Sequence, residues 1–109
     1  MAKKLPPVHP GEILREEFLV PPKLTPYAVA AALSVPRTRI ERIAREEKPL
    51  TDDTALRLGK FFKTAAAFWM NMQARFDLET AEDARGPQIK KIASCEEQRH
   101  KAAASLLTR

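Results

Sequence analysis

The amino-acid sequence predicts an all-α protein: a compact bundle of five helices, then a C-terminal tail able to form a sixth. Three observations lead there. Apolar residues recur at helical spacing throughout, and no alternating strand pattern stands out. Prolines and small hydroxyl residues fall where helices begin and end. Glycine is scarce, with only Gly11, Gly59 and Gly86, so proline marks the boundaries instead.

The first helix opens at Pro10-Gly11-Glu12 and runs to about Val20, since proline suits a first turn where its missing N–H costs nothing. Leu14 and Phe18 share its buried face with Ile13 at the edge, and Pro21-Pro22 stops it. Thr25-Pro26 begins a second helix that continues through the alanine-rich Tyr27–Leu33. After a break at Ser34-Val35, a third helix spans Pro36 to about Arg45. Glu46–Leu50 reads as a loop. Thr51 then caps a fourth helix, with Asp52 and Asp53 set against its N-terminal partial charge and Ala55, Leu58, Phe61 and Phe62 along its length. Thr64 caps a fifth that reaches about Leu78. The polar stretch Glu79–Pro87 reads as a linker, and Gln88–Leu107 as a sixth helix with a thin stripe of Ile89, Ile92, Leu106 and Leu107, stable alone or formed only against a partner. The expected division is an N-terminal arm 1–8, a domain 9–78, and a linker and tail 79–109.

A chain of 109 residues suits one compact domain and needs neither metal nor disulfide to fold. Cys95 is the only cysteine, which suits a reducing compartment. The start, Met1-Ala2-Lys3-Lys4, is basic but leads into no apolar signal segment, and no run approaches the roughly 18 apolar residues of a membrane span. The expectation is a cytoplasmic protein without a membrane partner. A formal net charge of +5 favours a polyanion, although many basic domains bind none.

Charge placement decides. Ala30, Leu33, Val35, Ile40 and Ile43 have the separations of a helix-turn-helix: a small residue at the close crossing, a residue beneath the turn, and two isoleucines anchoring the second helix. Ser34 stands in a turn that usually needs glycine. On a wheel of about 100° per residue, Pro36, Ile40, Ile43 and Ala44 fall on one side of the third helix. Thr38, Arg42 and Arg45 fall opposite, flanked by Arg37 and Arg39. A run of charge is often only a solvated face. Arginine, however, carries a planar fork that grips guanine or phosphate, and here it faces away from a helix-turn-helix skeleton. Arg37, Thr38, Arg39 and Arg42 are therefore the candidates for base-edge or groove contact with double-stranded DNA. Arg45, Lys48, Thr54 and Arg57 are the candidates for phosphate contact.

These residues lie within a longer pattern. His9-Pro10-Gly11-Glu12-Ile13-Leu14, Val35-Pro36-Arg37-Thr38-Arg39-Ile40, Asp53-Thr54-Ala55-Leu56-Arg57-Leu58, and Phe68-Trp69 with Asn71 and Gln73 resemble the HigA family of antitoxins, within the wider Xre-like helix-turn-helix regulators. The resemblance runs from about Leu5 to Leu78. It implies a lambda-repressor-like bundle, a homodimer on a palindromic operator, repression of its own operon, and neutralisation of a HigB/RelE-like toxin that cleaves messenger RNA. The chain departs from the family at positions usually held by glycine: Lys23, Ser34, Glu46 or Glu47, and Lys63. The Glu46-Glu47 pair puts negative charge beside the DNA face. In the fifth helix Trp69, Met72 and Phe76 are either plain core or a dimer contact.

No catalytic, cofactor or metal site is expected. His9 organises a helix start, His100 sits in the polar tail, and with Cys95 they lack zinc-site spacing. No glycine-rich phosphate loop or nucleophile–base pair stands out. Two alternatives remain: a regulator of the same fold without a toxin, and a protein-interaction module. An adjacent toxin reading frame separates the first from the antitoxin reading, and salt-dependent DNA binding separates the second.

Overall fold

The computed structural model describes residues 5–107, with side chains as far as Ala104. The basic start at Lys3 and Lys4 and the side chains of Leu106 and Leu107 lie outside the described residues. Among those described, all regular structure is helical: α1 (Pro10–Ile13), a π-helical continuation (Leu14–Leu19), α2 (Pro26–Leu33), α3 (Arg37–Ala44), α4 (Asp52–Phe62), α5 (Ala66–Lys90) and α6 (Cys95–Leu107).

Local chemistry explains the starts. His9 caps α1 with Nδ1, which accepts the Gly11 N–H at 2.8 Å, and Pro10 fills the first turn. Thr25 Oγ1 accepts the Ala28 N–H at 3.1 Å and so caps α2. The other two expected caps act differently. Thr51 makes no capping bond and pairs with Thr54 Oγ1 at 3.2 Å. Thr64 Oγ1 accepts the indole N–H of Trp69 at 2.8 Å, and Ala65 stands at the cap position of α5.

The helix ends share one device. Lys23, Ser34, Glu46 and Lys63 all have φ between 57° and 63°, and all are non-glycine. After each of them the next N–H reaches back five residues: Leu24 to Leu19 O, Val35 to Ala30 O, Glu47 to Arg42 O and Thr64 to Gly59 O. That is the Schellman arrangement, which satisfies carbonyls left over at a helix C-terminus and normally uses glycine at the left-handed residue. They coincide with the positions at which the resemblance leads one to expect glycine, and of the pair Glu46 and Glu47 it is Glu46 that takes the left-handed backbone.

Leu14, Val29, Ile40, Leu50, Leu58 and Trp69 form the centre of the core, with Ala30, Leu33 and Ile43 beside them. Phe18 packs its ring 4.9 Å from Phe62 and 5.0 Å from Trp69. Gly11 lets α1 approach α3, since a Cβ there would lie 1.8 Å from the Ile43 carbonyl oxygen. Gln73, itself buried, accepts the Leu50 N–H at 2.8 Å and ties the α3–α4 loop to α5.

The expected linker is absent. α5 continues through Glu79–Pro87 to Lys90, so no break separates the bundle from the residues beyond Leu78. Glu79, Ala81, Glu82, Ala84 and Arg85 are good helix formers, and an Arg75–Glu79 pair at 2.8 Å reinforces the helix at i,i+4 spacing. Polarity marks an exposed helix face there, not a loop. Pro87 lies inside α5, and the helix runs on past it to Lys90. The break falls at Lys91–Ser94, and Ser94 Oγ accepts the Glu97 N–H at 3.0 Å to begin α6. The end of α5 and the described part of α6 are largely exposed, and the molecule extends over 71 × 33 × 22 Å.

Candidate nucleic-acid interface

α2 and α3 are joined by the turn Ser34–Pro36, with Ser34 at φ 58°, ψ 45° and Val35 packed beneath. Ile40, Ile43 and Ala44 bury the inner face of α3. Pro36, expected on that buried side, is exposed and precedes the first helical residue. Burying the isoleucines turns the guanidinium side outward, because residues on opposite sides of an amphipathic helix cannot both face the core.

Thr38, Arg39, Arg42, Lys48 and Thr54 line one open groove between α3 and the start of α4, together with Pro49, Thr51 and Asp53. Arg42 is exposed and has no ion-pair partner among the described residues. Arg39 Nη1 donates to Asp53 Oδ2 at 2.6 Å, and the same oxygen accepts Arg57 Nε at 2.9 Å. Arg57 Nη1 also donates to the Leu33 carbonyl at 2.7 Å, closing the C-terminal end of α2. The hydrogen bonds from Arg57 and then Arg39 hold the Asp53 carboxyl below the ordinary carboxylate range.

The remaining candidates sit elsewhere. Arg37 lies outside the groove and pairs with Glu41 at 3.0 Å. Arg45 is exposed at the C-terminal cap of α3. Arg57 lines a separate depression with Leu33, Leu56, Lys60 and Phe61, on the other side of Asp53. Two expectations need correction. Thr54 is 1% exposed and its hydroxyl faces Thr51, so that hydroxyl is not presented to a phosphate. Trp69 is 0% exposed and held by Thr64, which removes it from the dimer candidates because the core of its own chain already covers it. Met72 and Phe76 are partly exposed. Met72 lines a groove with Leu5, Val8 and Ile13, and Phe76 packs edge-on against His9 at 4.8 Å.

Two supporting residues escape a reading of the sequence. Asp53 stands out there only as a helix N-terminal charge. Its i,i+4 spacing to Arg57 is legible, but its reach across to Arg39 is not. Arg15 donates to the Ala44 carbonyl at the end of α3 and pairs with Glu46 at 3.2 Å. Part of the negative charge expected beside the DNA face is thereby met by a cation from the first helix.

Among the described residues no helix is long and apolar enough to cross a membrane, and no group of three or more His, Cys, Asp or Glu side chains could hold a metal ion.

Similar proteins carry the same architecture. No protein-family model matches the chain. Virulence-associated protein I of Dichelobacter nodosus is 51% identical over 79 residues, 72% of this chain and 73% of that protein. The structure of Pseudomonas aeruginosa antitoxin HigA with the higBA promoter is 46% identical, with a TM-score of 0.79 over 82% of this chain and 98% of that one. Antitoxin GraA in complex with its operator is 39% identical, with a TM-score of 0.79 over 86% of this chain and 96% of that one. With the helix-turn-helix geometry above, these likenesses identify the chain as a member of the HigA family of helix-turn-helix antitoxins.

Proposed function

We propose that this protein is the antitoxin and autorepressor of a type II toxin–antitoxin module, not an enzyme. As a homodimer in the cytoplasm it binds a palindromic operator in its own operon and neutralises a HigB/RelE-like toxin that cleaves messenger RNA. The observation that carries the reading is the groove between α3 and α4, where Arg39, Arg42 and Lys48 converge on a helix-turn-helix. HigA of P. aeruginosa with the higBA promoter and GraA with its operator, both of this fold, support DNA as the ligand.

In this reading Thr38, Arg39 and Arg42 reach base edges, and Arg37 acts at the groove's margin. Arg45 and Lys48 contact phosphate, and Thr54, buried within its own chain, adds no contact. Arg57 acts chiefly through Asp53 and Leu33. Two copies place their α3 helices about 34 Å apart, the spacing of adjacent major-groove half-sites. Met72 and Phe76 are the surviving candidates for contact between the copies.

The test is a gel shift with the duplex immediately upstream of the gene, repeated at several salt concentrations. Operator affinity is expected to fall on a log–log plot with a slope of about 0.9 per phosphate neutralised. A salt-independent shift, or none, overturns the DNA reading. Co-purification with the product of an adjacent small basic reading frame tests the toxin partner.

A further inference from the structure

We propose that Asp53 is a positioning residue for operator discrimination: it holds Arg39 so that the free edge of the guanidinium is presented to the groove between α3 and α4. The inference rests on the reading of that groove as the DNA surface. An acidic residue on such a surface repels phosphate, and by charge alone it would only weaken binding. Its geometry here is specific. One oxygen, Oδ2, bridges Arg39 Nη1 and Arg57 Nε, and Arg57 is anchored in turn on the Leu33 carbonyl. Asp53 is thus fixed from behind by α2 and α4, and Arg39 is fixed by Asp53.

Arginine has five N–H donors in a planar fork, so a single bond to Nη1 leaves Nη2 and Nε available on the other edge. A guanidinium held at one point has fewer rotamers to lose when it grips a base, and long side chains otherwise lose substantial freedom on ordering. The same carboxylate lies in the groove and disfavours phosphate close by, so a duplex that offers Arg39 no base partner gains little there. Asp53 therefore favours the correct sequence on two counts. It prepares the reading side chain, and it discourages contact that engages phosphate alone.

The experiment compares binding of the full-length protein to the upstream duplex and to a scrambled duplex of equal length, at one salt concentration. Four proteins are measured: wild type, Asp53→Asn, Arg39→Ala and the double variant. Asp53→Asn is expected to lower the ratio of operator to scrambled affinity about tenfold, with scrambled affinity equal or higher. Arg39→Ala is expected to lower the ratio as well, and adding Asp53→Asn to it is expected to change the ratio no further. A purely structural role for Asp53 would weaken both duplexes alike and lower the thermal midpoint, which overturns the proposal. An unchanged or improved ratio in Asp53→Asn overturns it too, as does an undiminished effect of Asp53→Asn in the Arg39→Ala background. If wild type shows no preference for the upstream duplex, the DNA reading itself has failed, an outcome distinguishable from the others by the wild-type measurement alone.

Discussion

At the scale of single residues, the side chains facing the groove divide by what they can read. Arg42 is exposed in the last turn of α3 and has the fork geometry of a base reader, whereas Lys48 is a point charge on the loop beyond it. Arg42→Ala is expected to cost about 1–3 kcal/mol of operator affinity and to relax specificity at one base pair. Lys48→Ala is expected to weaken all sequences alike and reduce the salt slope by about 1. Titrations on operator variants check both. His9 governs a different property. Burial pushes its imidazole below the ordinary value of 6.5, against opposing influences from Glu46, a backbone bond with Lys48, and Asp77. The neutral ring is needed because Nδ1 accepts the Gly11 N–H. As pH falls below 6.5 the unfolded chain takes up a proton that the folded protein resists, so stability is lost from that pH downward. Urea unfolding between pH 7.5 and pH 5 (roughly the range in which histidine changes charge) is expected to show this decline. His9→Asn keeps a capping acceptor and is expected to remove most of the slope.

At the scale of elements, the helix ends hold untapped stability. Lys23, Ser34 and Lys63 occupy left-handed backbone at φ 57–58° without being glycine. A side chain in that region costs about 1–2 kcal/mol, partly offset by the roughly 0.5–1 kcal/mol of extra freedom that glycine gives the unfolded chain. Each change to glycine is therefore expected to stabilise by about 0.5–1 kcal/mol, and the triple variant's thermal midpoint to rise by on the order of 10 °C. Calorimetry of the singles and the triple checks the size and the additivity. The turn at Ser34 was legible because a Schellman ending needs a particular backbone at a particular place, whichever residue fills it. The length of α5 was not legible. A polar run ending in Gly86-Pro87 has the composition of a linker, and its helical state rests on propensity and the Arg75–Glu79 pair, not on any buried stripe.

At the scale of the whole molecule, the bundle and the far end of the chain obey different rules. Residues of the core are covered by several helices, whereas Cys95–Ala104 are exposed throughout. A chain ending at Lys91 is accordingly expected to unfold within about 2 °C of the full-length protein, since surface changes seldom move stability by more than a few tenths of a kcal/mol. A drop of 10 °C would show that the tail supports the core. The sequence by itself determined the all-helical class, the helix-turn-helix skeleton and the outward arginine face, because the 3.6-residue period forces the buried and exposed sides of α3 apart. It also marked Ser34 as a turn position that usually takes glycine for its positive φ, and the structure has φ 58° there. Only the tertiary structure decided which guanidinium is held by Asp53, that Arg15 meets Glu46, and that Trp69 and the Thr54 hydroxyl face inward. The two ion pairs join residues 14 and 31 positions apart. Such distances, and the cover over a buried side chain, are set by how helices cross rather than by spacing along the chain.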